Sequence, residues 1–160
     1  MTEAAETTGR DDPFDLHRFL IAQEDIYDQV VAELKSGRKR SHWMWFVFPQ
    51  IDGLGYSTTT AYYAIKSVQE ARQYLKHPVL GTRLAGCAEL VLAIEGRSIS
   101  AIFGYPDDLK LKSSMTLFEA VGGPRSVFSS VLEKYFDGER DDRTLRLLEK
   151  LRERMAEDNA

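Results

Sequence analysis

The sequence predicts an all-α fold, a single compact multi-helix domain of about seven or eight helices, some of them short. Three observations predict it. Apolar residues recur at steps of three and four along most of the chain. Capping residues and helix breakers punctuate those stretches at helical lengths. No pair of alternating apolar and polar runs is present to build a sheet. A length of 160 residues suits one domain, and no repeat or shift in composition marks a second.

Residues 1–11 lack an apolar pattern and read as a flexible tail, which leaves the domain at 12–157. Asp12-Pro13 opens the first helix, with an acidic cap and a proline at the first helical position. Leu16, Phe19, Ile26, Val30 and Leu34 share a face, interrupted by Gln23, so a helix is expected over 13–36, closed by Gly37. The run 41–48 has six consecutive apolar residues without alternation. Propensity favours a strand there, while Ser41 as a cap favours a short buried helix. Without a neighbouring strand to pair with, helix is the reading adopted, ended by Pro49.

Gly53 and Gly55 mark a tight loop, after which Ser57 caps a short helix carrying Ala61, Tyr62, Ala64 and Ile65. Ser67 and Glu70 form a capping box for a helix to Lys76, which His77-Pro78 breaks. The next helix carries the cleanest stripe, Leu80, Leu84, Cys87, Val91 and Ile94, and ends at Gly96. Ser98 caps a single turn through Phe103. A turn at 105–108 leads into a helix with Leu111, Met115, Phe118 and Val121 on one face. Gly122-Gly123-Pro124 separates it from a helix over 125–136. The last helix, from about Asp142, carries Leu145, Leu148, Leu151 and Met155.

Composition excludes several classes of function. The apolar and charged fractions, 43% and 29%, are those of a folded domain and not of a disordered segment. A net charge of −4 gives no reason to expect nucleic acid as a partner. Arg38, Lys39 and Arg40 form one local basic cluster, read as a solvated loop with some capacity to attract an anion. A single cysteine, Cys87, forbids an intramolecular disulfide and suits a reducing, cytoplasmic setting; its place on an apolar stripe makes it a core residue. No signal-peptide pattern and no apolar run of about 18 residues is present, so no membrane partner is expected. His17, His42 and His77 are far apart in sequence, and neither a metal nor a cofactor is expected.

Three polar blocks are candidates for chemistry. In the first, Trp43 and Trp45 either fill the core or line a pocket for a planar ligand, with His42 and Gln50 beside them to orient it. In the second, Asp107 and Asp108 begin a helix, where carboxylates oppose its dipole, and Lys110, Ser113 and Ser114 lie within one turn. A cation and two hydroxyls so placed suit a phosphate or carboxylate. The third runs from Leu54-Gly-Tyr-Ser57 through Tyr63 to Glu70. Glu70 and Asp107 are the candidate acid or base residues.

The blocks SHWMWFVFPQ (41–50), LGYS (54–57), EARQYLKHPVLGTRL (70–84) and IFGYPDDLKLKSSMTLF (102–118) resemble the bacterial domain-of-unknown-function family 1810. Its members are sometimes labelled calpastatin in genomes. The resemblance spans about residues 13–150 and implies a small, mainly helical protein. It brings no activity and no catalytic residue. By analogy alone, the layout also looks like helical proteins that bind or hydrolyse ADP-ribose derivatives. Two expectations follow. One is a pocket for a small anionic, nucleotide-like or ADP-ribose-like ligand. The other is a non-enzymatic interaction module that uses the leucine stripe of the C-terminal helix. Neither sets an oligomeric state.

Overall fold

Asp12 is expected to cap a helix from Pro13, but the helix begins at His17 and the Asp12 side chain reaches forward to its start. One carboxylate oxygen accepts the Leu16 N–H at 2.8 Å and the other the His17 N–H at 3.0 Å. The helix starts later than Pro13, because Asp15 takes a φ of 51° and turns the chain first. The computed structural model describes residues 11–158, so the tail expected at 1–11 lies, apart from Asp11, outside the described residues. Among the described residues there are ten helices and no strand, against the seven or eight expected.

The extra helices have a physical origin at the N-terminus. The helix expected over 13–36 is two: α1 (His17–Glu24) and α2 (Tyr27–Lys35). The break lets α1 pack on α3 (Met44–Val47) while α2 packs on α6 (Leu80–Ala93). Gln23, the residue that interrupts the apolar stripe, is buried before the break and donates to the Phe46 carbonyl at 2.7 Å. The aromatic run contributes only the single turn of α3, shorter than the helix expected over 41–48. After Phe48 the chain extends, and Ile51 pairs with Ile65 in an isolated parallel β-bridge.

Between those bridge residues a loop carries α4 (Thr58–Tyr63), capped by Ser57 as expected, which buries no side chain. α5 (Val68–Lys76) is capped by Ser67, whose hydroxyl accepts the Glu70 N–H at 3.0 Å. The Glu70 carboxylate completes the device one residue further back than a capping box, accepting the Lys66 N–H at 2.9 Å. α5 and α6 meet at Gly81, where a Cβ would stand 1.9 Å from the Leu75 carbonyl oxygen, so only glycine fits. α7 (Ile99–Phe103), α8 (Asp107–Gly122), α9 (Val127–Phe136) and α10 (Asp142–Asp158) complete the chain.

α8 is the central helix, packed by α3, α5, α7, α9 and α10. One apolar face is expected from its spacing, but every residue from Ser113 to Phe118 is buried, so it is enclosed on nearly all sides. On α10 the buried face is Thr144 and Leu148, with Leu147, Leu151 and Met155 packed beside it. Leu145, expected on that stripe, is exposed at 44%. The leucine stripe therefore docks largely on the chain's own core. Cys87 is buried, as its stripe predicted, and burial pushes its thiol up to about 11. No helix of the described residues is long and apolar enough to cross a membrane.

The loop before the aromatic turn is organised by one carboxylate. Glu33 is buried, and its oxygens accept from the Arg40 N–H (2.8 Å), the Ser41 N–H (3.1 Å), the Ser41 hydroxyl (2.5 Å), the Gln29 amide (3.0 Å) and the Trp43 indole N–H (2.9 Å). Burial raises the pKa of this group. The hydrogen bonds from Ser41, Arg40, Gln29 and Trp43 outweigh it and bring the pKa down to about 2. A folded-state value below the unfolded one stabilises the protein above the ordinary glutamate range, and that stabilisation is lost as pH falls toward 2. Denaturant melts from pH 6 to pH 2 should show Glu33→Gln less stable at pH 6, with a shallower acid limb than the wild type. Parallel acid limbs would remove Glu33 as the group responsible.

Candidate functional site

A cleft of about 440 Å³ opens where the loop between the bridge residues faces the start of α8 and the start of α10. Leu54, Gly55 and Thr60 line it from the loop. Tyr105, Pro106, Leu109, Lys110 and Ser113 line it from α8 and the turn before it, Asp141 and Arg143 from the start of α10, and Gln50 from the end of the aromatic block. All three sequence blocks thus contribute to one cavity, of a size typical for small-molecule sites.

Lys110 is the best placed of the expected residues. Its ammonium lies 5.4 Å from the centre of the Trp45 ring and 3.7 Å from an Asp107 oxygen. Asp107 itself is held at 2.8 Å by Lys39, whose side chain is buried. The middle residue of the basic cluster therefore pairs within the protein, while Arg38 and Arg40 are exposed. Arg143 supplies a second cation to the cleft and donates to the Gly53 carbonyl at 3.3 Å. Asp141 is the carboxylate among the lining residues. It caps α10, accepting the Thr144 N–H at 2.9 Å and the Thr144 hydroxyl at 2.6 Å. Gln50 is half-buried, and its side-chain amide bonds to no other described residue.

The remaining candidates separate. Ser113 lies at the buried floor, its hydroxyl 2.7 Å from that of Thr144. Ser114, one residue on, is rotated into the core, and its hydroxyl is buried without a partner among the described residues. Trp43 is fully buried with its indole N–H on Glu33, so no face is open for a ligand to stack on. Trp45 and Tyr63 lie behind the cleft wall, around a gap of about 10 Å³ that they share with Gln50 and Thr60. Ser57 is an exposed cap whose hydroxyl accepts the Thr60 N–H at 3.0 Å. His42 is exposed on the loop before Trp43 and does not line the cleft. A pocket uniting His42, Glu70, Lys110 and Ser113 is not formed.

Glu70 belongs to a different construction. It is buried in an ion pair with Arg18 at 2.7 Å, in the wall of a second cleft of about 610 Å³. Arg18 also donates to the carbonyls of Phe14 (2.7 Å), Asp15 (2.8 Å), Tyr62 (2.8 Å) and Ala64 (3.1 Å). With Glu70, these bonds use all five guanidinium N–H groups, and no donor is left for a ligand. A third cleft of about 740 Å³, along α1 and the His77-Pro78 turn, is lined largely by apolar groups and opens at Asp11, where the described chain begins. The smaller cleft at Lys110 is the one that gathers the expected residues Gln50, Lys110 and Ser113.

Sequence reasoning missed Arg143, Tyr105 and Arg18. Arg143 falls in the first turn of the helix expected from about Asp142, where nothing local distinguishes it from a solvent-facing arginine. Tyr105 read as a turn residue, and nothing local distinguishes Arg18 from a surface arginine on a helix.

The fold and the cleft define a small single-domain all-α protein with a cationic cavity at one side of its central helix. The chain belongs to the family described as Protein of unknown function (DUF1810), whose model matches residues 13–148. It is also similar to the conserved hypothetical protein Rv1873 from Mycobacterium tuberculosis, whose crystal structure was solved at 1.38 Å. The two are 55% identical with a TM-score of 0.84, over 86% of this chain and 98% of the other. No curated protein matches the chain.

The Arg18–Glu70 pair predicts an asymmetric response to mutation. Glu70→Ala leaves a buried guanidinium short of its counter-charge and should lower stability by about 3–5 kcal/mol in denaturant melts. Surface Glu149→Ala on α10 should cost under about 0.5 kcal/mol. Equal small losses would show that Glu70 is not integral to the fold.

Proposed function

We propose that this protein binds a small anionic ligand of nucleotide-like kind, ADP-ribose-like compounds included, in the cleft between the 52–64 loop, α8 and α10. The observation that carries the reading is the convergence of Lys110, Arg143 and the free amide of Gln50 on one cavity. Two cations and a neutral donor suit a phosphate, and the Trp45 ring beneath Lys110 limits the directions in which its ammonium can point. Binding is better supported than catalysis. Glu70 and Asp107, the acid or base candidates, are both paired with cations, and Asp141 is committed to its cap. The leucine stripe that motivates an interaction module on α10 is mostly turned inward, which leaves that alternative without its surface.

A thermal-shift screen with AMP, ADP, NAD and ADP-ribose tests the reading. Ligand at 100 times its Kd adds about 2.7 kcal/mol, which raises the Tm of a chain this size by roughly 5–10 °C. Lys110→Ala and Arg143→Ala should each weaken binding about tenfold or more while leaving the unliganded Tm within about 2 °C, and rising salt should weaken it in the wild type. No shift with any ligand, or shifts that survive both substitutions, would defeat the proposal.

A further inference from the structure

Two aromatic side chains stand outside the packing that absorbs the others. Tyr56 is 97% exposed and Tyr105 is 81% exposed, and neither ring packs against another aromatic ring of the described residues. Tyr62, the other exposed tyrosine at 54%, is edge-on to Tyr63 with ring centres 4.8 Å apart. Elsewhere the rings are stacked into the core or covered by a cation, as Trp45 is by Lys110. An uncovered ring is unremarkable singly, but one of these lines the cleft and the other is the chain neighbour of a residue that does. Tyr105 lines the cleft from the α8 side, and Tyr56 directly follows Gly55, whose backbone lines it from the loop side.

The loop that carries Tyr56 is built to hold its ends and leave its apex light. At the base, the Ile65 N–H donates to the Gln50 carbonyl at 2.8 Å and the Asp52 N–H to the Ile65 carbonyl at 2.9 Å. Arg18 holds Tyr62 and Ala64, and the Lys66 ammonium holds the Ala61 carbonyl at 2.8 Å. Near the apex, Gly55 approaches so closely that a Cβ would stand 2.7 Å from the Thr60 methyl. That close approach leaves no room for a side chain at position 55 and folds the loop back on α4. α4 has no fully buried side chain and is tied to the core through Tyr63, which packs on Phe19 and Phe46.

We infer that Tyr105 and Tyr56 are the ring-recognising residues of the cleft, and that its ligand is a planar heteroaromatic ring carried on a phosphate. The ring lies on Tyr105 and is covered by Tyr56 from the loop, while the phosphate meets Lys110 and Arg143. The inference rests on the cleft reading above and adds to it the chemical class of the ligand and the residues that select it. A sugar phosphate satisfies the cations and leaves both rings uncovered, so the site should rank it below a nucleotide. Stacking of a base on an aromatic side chain is worth about 5- to 150-fold in affinity.

Calorimetric titration with AMP, UMP, ribose 5-phosphate and inorganic phosphate separates the two readings. At least one nucleotide should bind about fivefold or more tighter than ribose 5-phosphate. Tyr105→Ala should erase that margin and leave ribose 5-phosphate binding unchanged, Tyr105→Phe should keep it, and Tyr56→Ala should reduce it. If ribose 5-phosphate binds as tightly as both nucleotides, with its binding still dependent on Lys110, the ring inference is overturned and the cleft reading stands. Equal weakening of nucleotides and ribose 5-phosphate by Tyr105→Ala also overturns it, since the tyrosine would then act only on the shape of the cleft. Failure of all four compounds to bind removes both readings.

Discussion

The guanidinium of Arg18 is the group on which the geometry of the cleft side depends. It is buried on the first helix, and each of its N–H groups has a fixed oxygen: two carbonyls of the N-terminal turn, two at the end of α4, and the Glu70 carboxylate. Burying an unpaired charge of this kind would cost several kcal/mol, so these five partners must be held together for the fold to form. That requirement joins segments 14–18, 62–64 and α5, which have no common apolar stripe. It also sets where the 52–64 loop ends, and hence where one wall of the cleft stands.

A second buried charge does the same for the other side. Glu33 draws the Arg40 and Ser41 backbone, the Ser41 hydroxyl and the Trp43 indole onto α2. The loop so fixed brings the Lys39 ammonium to Asp107 at the start of α8. Asp107 then helps to position Lys110, whose ammonium sits over Trp45. The path from Glu33 to Lys110 is a run of direct contacts. It explains why the most aromatic segment of the chain neighbours the cleft without supplying a stacking surface to it. The Trp45 indole holds the cation that faces the cavity, and the exposed ring that lines it, Tyr105, comes from a turn.

Much of the fold was legible in the sequence because it depends on neighbours three or four residues apart. Ser57, Ser67 and Ser98 cap the helices they were expected to cap, and the stripe from Leu80 to Val91 is buried as its spacing implied. The break at Asp25–Ile26 was not legible, since a helix interrupted to serve two different partners shows no local stop signal. The candidate site was legible in part. Gln50, Lys110 and Ser113 line the cleft, whereas His42, Trp43, Ser114 and Glu70 do not. Ser114 differs from Ser113 by one step of about 100° around a helix that is buried on both sides, a difference that no pattern of polarity expresses.

The sequence by itself determined the helices, their caps and the family, because propensity, capping and apolar spacing act over one or two turns. Tertiary structure alone decided which charges are structural and which are free. Glu70 and Lys110 are equally plausible as isolated residues on helices. One is matched by an arginine 52 positions away, and the other shares Asp107 with Lys39 and lines a cavity with Arg143. Pairing of buried charge depends on distance in space at the scale of a few ångströms, and the chain order of the partners carries no record of it.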